Sequence, residues 1–137
     1  MTQDDVQAWL DRYVAAWKSY DPVAIGDLFS DDAEYRYHPW SEPVRGRGAI
    51  VASWVDPSGD ASGRDEPGTY DATYRPYAID GERVVAVGHS DYLAAPGGPL
   101  RERYHNVYLL AFDADGRCRE FTELFMQAPT GRAVSLE

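Results

Sequence analysis

The apolar residues of this chain change their spacing once, near residue 69, and that change limits the folds open to it. Up to residue 55 they recur mostly at helical steps. Val6, Leu10, Tyr13, Val14 and Trp17 fall three or four residues apart and form one stripe, with Trp9 at its edge, which predicts a helix over 4–19. Asp21-Pro22 restarts the chain as N-cap and first helical residue. Val23, Ile25, Leu28 and Phe29 then predict a short second helix ending near Ser30-Asp31-Asp32. A strand follows over 33–37. Pro39, Pro43, Gly46 and Gly48 mark a loop. A third helix takes its apolar side from Ile50, Val51, Trp54 and Val55.

Beyond residue 69 the period is two. Segments 69–79 and 83–94 are rich in Tyr, Val and Thr, and Asp80-Gly81 joins them as a hairpin. The turn APGGP (95–99) leads to a long strand over 101–112, and DADG (113–116) leads to a last strand over 117–127. Residues 56–68 read as a polar, mobile loop, and 1–3 and 128–137 as loose termini of one domain spanning 1–137. Helices followed by a run of antiparallel strands predict an α+β fold. A strongly bent, mostly antiparallel sheet that wraps three N-terminal helices would make a cone-shaped α+β barrel. The open mouth of such a cone is a natural ligand site.

Composition narrows the partners. A formal charge of −10 argues against nucleic acid and anionic membrane surfaces. The chain shows no apolar run of transmembrane length, and its acidic, amphipathic start does not read as a signal peptide. Cys118 is the only cysteine, so no internal disulfide can form. These features point to a cytoplasmic protein without a membrane partner. Three scattered histidines lack metal-ligand spacing, and no nucleotide-binding glycine loop or nucleophile motif is present. Neither a metal nor a cofactor is expected.

The stretch DRYVAAWKSYDPVAIGDLFSDDAEYRYHPWSEPVRGRGAI, together with YHNVYLLAFDADGRCREFTELFMQ, resembles the nuclear transport factor 2-like superfamily, in particular its SnoaL-like and ketosteroid-isomerase-like branches. The two segments cover about half of the chain. The resemblance implies a cone-shaped fold, often paired into a homodimer through the outer face of the sheet. It also supplies a residue-by-residue test. In the steroid isomerases a helical tyrosine and a protonated aspartate hold an enolate oxygen while a second aspartate moves the proton. The tyrosine falls on Tyr13. The base position falls on Tyr37, or on His38 if the register slips by one, and the second oxyanion position falls on Tyr108. Two of the three positions therefore differ, which argues against steroid isomerisation by that route. The catalytic sets of the scytalone dehydratases, SnoaL cyclases and limonene epoxide hydrolases find no residue-by-residue match.

The chain carries a constellation of its own. In REFTELF (119–125), Phe121, Glu123 and Phe125 share one face of the strand. The resemblance turns that face into the cone, along with Tyr104, Asn106, Tyr108, Leu110 and Phe112 of the preceding strand. Leu110, Phe112, Phe121 and Phe125 suit a core or a pocket wall. A carboxylate among them must be paired, protonated or hydrogen-bonded. Burial would bring its pKa toward neutrality, where a general base works. A structural pairing of Glu123 with His89, Arg83, Asn106 or a tyrosine hydroxyl is the alternative.

In VVAVGHSDYLA the larger apolar residues share a face with His89, which predicts that His89 points inward, as either a proton-transfer partner of Glu123 or a satisfied structural histidine. His38 would sit at the rim, and His105 on the surface or at a dimer face. Arg45 and Arg47 read as solvated loop charges or as an anion site near the start of the third helix.

The expected function is a SnoaL-like enzyme that moves protons without a cofactor on a hydrophobic, oxygenated small molecule, as an isomerase, dehydratase, cyclase or hydrolase. Glu123, His89, Tyr13 and Tyr108 are its candidate catalytic residues. Trp17, Tyr37, Trp54, Tyr104, Asn106, Leu110, Phe121 and Phe125 are its candidate ligand-binding residues. A non-catalytic binder of the same fold and a structural dimerisation domain are the alternatives.

Overall fold

A computed structural model describes residues 1–56 and 64–129. The helix α1 (Gln3–Ser19) is set by a reciprocal cap: Thr2 Oγ1 accepts from the Asp5 N–H, and the Asp5 carboxylate accepts from the Thr2 N–H. The first residues, expected to be loose, are therefore tied down, and Met1 packs against the core. At the other end Tyr20 closes α1 in the left-handed region (φ 50°), the only described non-glycine residue there. Asp21 caps α2 (Pro22–Gly26) through the Val23 N–H.

α2 is shorter than its apolar pattern predicts. The Leu28 carbonyl accepts from the Cys118 N–H (2.8 Å) and the Trp9 indole N–H (3.0 Å). Those bonds pull the backbone into the sheet, and β1 (Phe29–Arg36) opens at Phe29 instead of at Ala33. Phe29 is fully buried against Trp9, Tyr35 and Trp54. The expected loop holds a two-residue strand, β2 (Val44–Arg45), paired with β1, before α3 (Arg47–Val55).

The remaining strands are β3 (Tyr70–Asp80), β4 (Arg83–Leu93), β5 (Leu100–Phe112) and β6 (Cys118–Gln127). They follow the predicted spans closely. The six strands form one curled, unclosed sheet in the order β2-β1-β6-β5-β4-β3. Every pairing is antiparallel except β1 with β6. Pro76 is tolerated because β3 is an edge strand with a bulge at that point. The α+β architecture, with three helices held against a bent and mostly antiparallel sheet, is the one the sequence predicts. No helix among the described residues is long and apolar enough to cross a membrane. Segments 57–63 and 130–137, which cover most of the expected mobile loop and of the expected loose C-terminus, lie outside the described residues.

One expectation about side-chain direction is reversed. On β4 the inward residues are Val84, Ala86, Gly88, Ser90 and Tyr92. Val84, Ala86 and Ser90 are buried, and Ser90 and Tyr92 line the cavity. In mid-strand the inward residues, Ala86, Gly88 and Ser90, are small, and at Gly88 the ring of a neighbouring strand fills the space in front. Tyr74 lies opposite Gly88, and a Cβ at Gly88 would stand 2.6 Å from its ring. The larger valines, Val85 and Val87, face outward with His89. Size was the wrong guide, since the outer face of this sheet is also apolar.

Candidate functional site

Between α1, α3 and the concave face of the sheet lies a cavity of about 800 Å³, within the usual range for small-molecule sites. Glu123 forms part of its wall. β6 presents Glu123 directly opposite Tyr108 of β5, with Phe121 buried two residues earlier. The neighbour that satisfies Glu123 is Asn106, whose Nδ2 donates to Glu123 Oε1 at 3.3 Å. Asn106 Oδ1 in turn accepts from Ser90 Oγ at 3.2 Å. A polar relay therefore runs across β4, β5 and β6 under an otherwise aromatic surface.

Burial pushes the Glu123 carboxyl up to about 7, and the Asn106 hydrogen bond only partly offsets it. The carboxylate's field reaches six tyrosines, Tyr13, Tyr35, Tyr37, Tyr74, Tyr92 and Tyr108, and in each it helps to raise the hydroxyl pKa. Burial is the larger cause in all six; it pushes Tyr74 to about 12 and holds Tyr13, Tyr35 and Tyr108 well above the ordinary phenol value. Those phenols are protonated at neutral pH and available as donors. The hydroxyls of Tyr13 and Tyr35 lie 3.3 Å apart. Tyr35 also stacks on Phe121, with ring centroids 4.2 Å apart and planes at 7°, so the cage is held rigid from behind.

The sequence expectations divide cleanly. Glu123, Tyr13, Tyr108, Trp17, Tyr37 and Trp54 meet in the cavity wall. Asn106 supports that wall through Glu123. Leu110 and Phe121 are buried in the core behind it. Phe125, expected to face the ligand, is instead 47% exposed and packs on Tyr104 and His38 outside the cavity lining. Tyr104 donates to Glu102 at 2.7 Å and does not line the cavity.

His89 requires correction. It lies on the outer face of the sheet, 3.3 Å from Asp91 and beside His105, and is not part of the cavity wall. Asp91 is held mainly by Arg103 at 2.7 and 2.8 Å. Arg83, considered above as a partner for Glu123, pairs with Glu120 instead. Arg45 pairs with Glu34. Arg47 is also no free anion site: it pairs with Asp31 and donates to the Phe29 carbonyl.

Sequence reasoning missed several wall residues. Tyr35 shares its strand parity with Tyr37 and could have been read from it. Tyr92 was lost with the inverted parity of β4. Tyr74 belongs to a strand on which no residue was singled out. Tyr20 and Asp65 had no sequence signal, because a left-handed helix cap and a distant loop bring them together. Among the described residues no three His, Cys, Asp or Glu side chains converge as a metal site.

A model of the SnoaL-like domain matches residues 10–121 of the sequence. No curated protein matches it. Solved structures similar to it include a protein from Sphaerobacter thermophilus, at 18% identity and TM-score 0.60, covering 86% of this chain and 93% of its own, and Bal32a from a soil-derived mobile gene cassette, at 21% identity and TM-score 0.63, covering 90% of each chain. At those identities the likeness establishes the fold, which is nuclear transport factor 2-like.

Proposed function

Because the chain belongs to the SnoaL-like domain family, which includes cofactor-independent enzymes, we propose that it is such an enzyme and that Glu123 moves a proton on a hydrophobic, oxygenated small molecule bound in the cavity. The observation that carries this reading is the Glu123 carboxyl, raised to about 7, in the wall of a mostly aromatic cavity. A group with that pKa is partly ionised at neutral pH, so it can take a proton and return it in the same turnover. As Glu123 removes a proton from the carbon next to a ligand carbonyl, the electron pair of the broken C–H bond shifts toward the carbonyl oxygen, and negative charge grows there. Tyr13 and Tyr108, kept protonated by burial, would donate hydrogen bonds to that oxygen. Returning the proton to another carbon gives isomerisation; giving it to a departing hydroxyl gives dehydration. Neither route needs a cofactor.

The outer face of the sheet supports a second element of the proposal, a homodimer. Val87, Val107 and Leu124 align across β4, β5 and β6, beside Val85 and Leu109. Leu109 is 45% and Met126 76% exposed. A second copy offers the same stripe and would cover it by two-fold pairing. Sedimentation of wild type against a Leu109→Glu/Leu124→Lys double variant tests this, a dimer being expected only for the former. We also place the protein in the cytoplasm, where its single buried thiol, Cys118, would stay reduced.

The catalytic reading is tested by a thermal-shift ligand screen on wild type and Glu123→Gln, followed by turnover assays on the hits. Glu123→Gln is expected to bind the hits and lose about 100-fold or more in kcat. Equal turnover by both proteins would remove Glu123 from the mechanism. Hits that bind but are turned over by neither would leave a binding protein of the same fold.

A further inference from the structure

The cavity wall carries charge of one sign. Asp56, Asp65 and Glu123 line it, and no lysine, arginine or histidine does so among the described residues. The remaining wall is mostly aromatic. Asp65 is fixed between two of the rings. Its Oδ2 accepts from the Trp17 indole N–H at 3.1 Å and from the Tyr20 hydroxyl at 3.2 Å, while its own N–H donates to that hydroxyl at 3.1 Å. A carboxylate held in this way at the edges of aromatic rings is the chemistry that recognises an ammonium group, through an ion pair, with the neighbouring rings of the wall able to add cation–π attraction. One cation already uses a ring of this set. The Arg64 guanidinium lies 5.4 Å from the Tyr20 centroid; it is tethered by its Nε to the Val55 carbonyl at 2.7 Å and stays outside the cavity lining.

An independent feature of the same wall also suits a ligand. Trp54 lines the same cavity, is 9% exposed, and its indole Nε1 has no hydrogen-bond partner among the described residues. Buried donors are almost always paired, so an unpartnered one in a cavity wall suits an acceptor brought by a bound molecule.

We propose that the molecule bound in the cavity is a protonated amine with an aromatic or alicyclic body, its ammonium seated against Asp65, Tyr20 and Trp17 and an acceptor atom turned toward Trp54. This rests on the cavity being the ligand site, as proposed above, and does not depend on proton transfer by Glu123. A carboxylate ligand would meet three acidic side chains, with no cation among the described wall residues to offset them. A neutral one would leave Asp65 without a counter-charge.

The test is calorimetric titration, at low salt, with three indoles that differ only in the charge of the side arm: tryptamine, indole-3-ethanol and indole-3-propionate. Tryptamine is expected to bind about tenfold or more tighter than the alcohol, and the propionate most weakly. Asp65→Asn, checked for an unchanged melting curve, is expected to erase the preference, and Glu123→Gln to retain it. The proposal is overturned if the alcohol or the acid binds as tightly as the amine, if tryptamine does not bind at millimolar concentration, or if Asp65→Asn leaves the preference intact. An amine preference without turnover counts against the catalytic reading alone, and turnover of neutral ligands without an amine preference counts against this proposal alone.

Discussion

Asn106 and Glu123 lie diagonally across β5 and β6, with the amide nitrogen 3.3 Å from the carboxylate oxygen. This hydrogen bond is the stabilising contact given to the Glu123 carboxylate, and it opposes burial without cancelling it. Removing it should therefore move Glu123 in a known direction. Asn106→Leu is expected to raise the Glu123 titration midpoint above about 7. It also leaves the Ser90 hydroxyl without its acceptor, at a cost of about 1–3 kcal/mol. Side-chain carboxyl NMR and urea denaturation read the two effects. A midpoint that falls would show that the contact does not act on Glu123.

Stability should depend on pH through the same group. The folded pKa of about 7 lies above the ordinary 4.5, so between those values the folded state keeps a proton that the unfolded chain has lost. Stability from Glu123 is then full below pH 4.5, falls as pH rises through 7 and is flat above. The loss is about 3 kcal/mol. Glu123→Gln cannot ionise and is expected to lack this slope, ending more stable than wild type at pH 8. Denaturation midpoints of the two proteins across that range make the comparison, and parallel curves would contradict the shift.

The close approach of β3 and β4 gives a structural test. Gly88 faces Tyr74, and an added Cβ would press on both its ring and its backbone. The obstruction includes main chain, so it cannot be relieved by a rotamer change alone. Gly88→Ala is expected to lower stability by about 1–3 kcal/mol or more. Unchanged urea unfolding would mean that the inner face of β4 is not where the fold places it.

His89 tests the direction of that strand from the other side. It lies on the outer face with Asp91 and His105. His89→Ala is expected to leave the Glu123 titration midpoint and any turnover of a cavity ligand unchanged. A shift of either would put His89 back beside the carboxylate.

These residues also show how much of the molecule was legible beforehand. The fold could be read because both periods are strong: the α1 stripe and the alternation in β5 and β6 leave little freedom. Glu123 could be read because a carboxylate among phenylalanines breaks that alternation. The face of β4 could not be read from size, because both faces of the sheet are apolar and the inner one is filled by rings contributed from elsewhere. The start of β1 was hidden because Leu28 and Phe29 suit either a helix stripe or a buried strand, and the choice is made by Cys118 and Trp9, both distant in sequence. Asp65 could not be read, because its contacts with Trp17 and Tyr20 are distant in sequence and no local pattern encodes them.

The proposed chemistry turns on one ionisation, and carboxyl-carbon NMR of Glu123, assigned by comparison with Glu123→Gln, measures it on the unliganded protein. A titration midpoint of about 7 is expected. A midpoint near 4.5, the ordinary value, would mean that the carboxyl is solvated and not poised to exchange a proton at neutral pH.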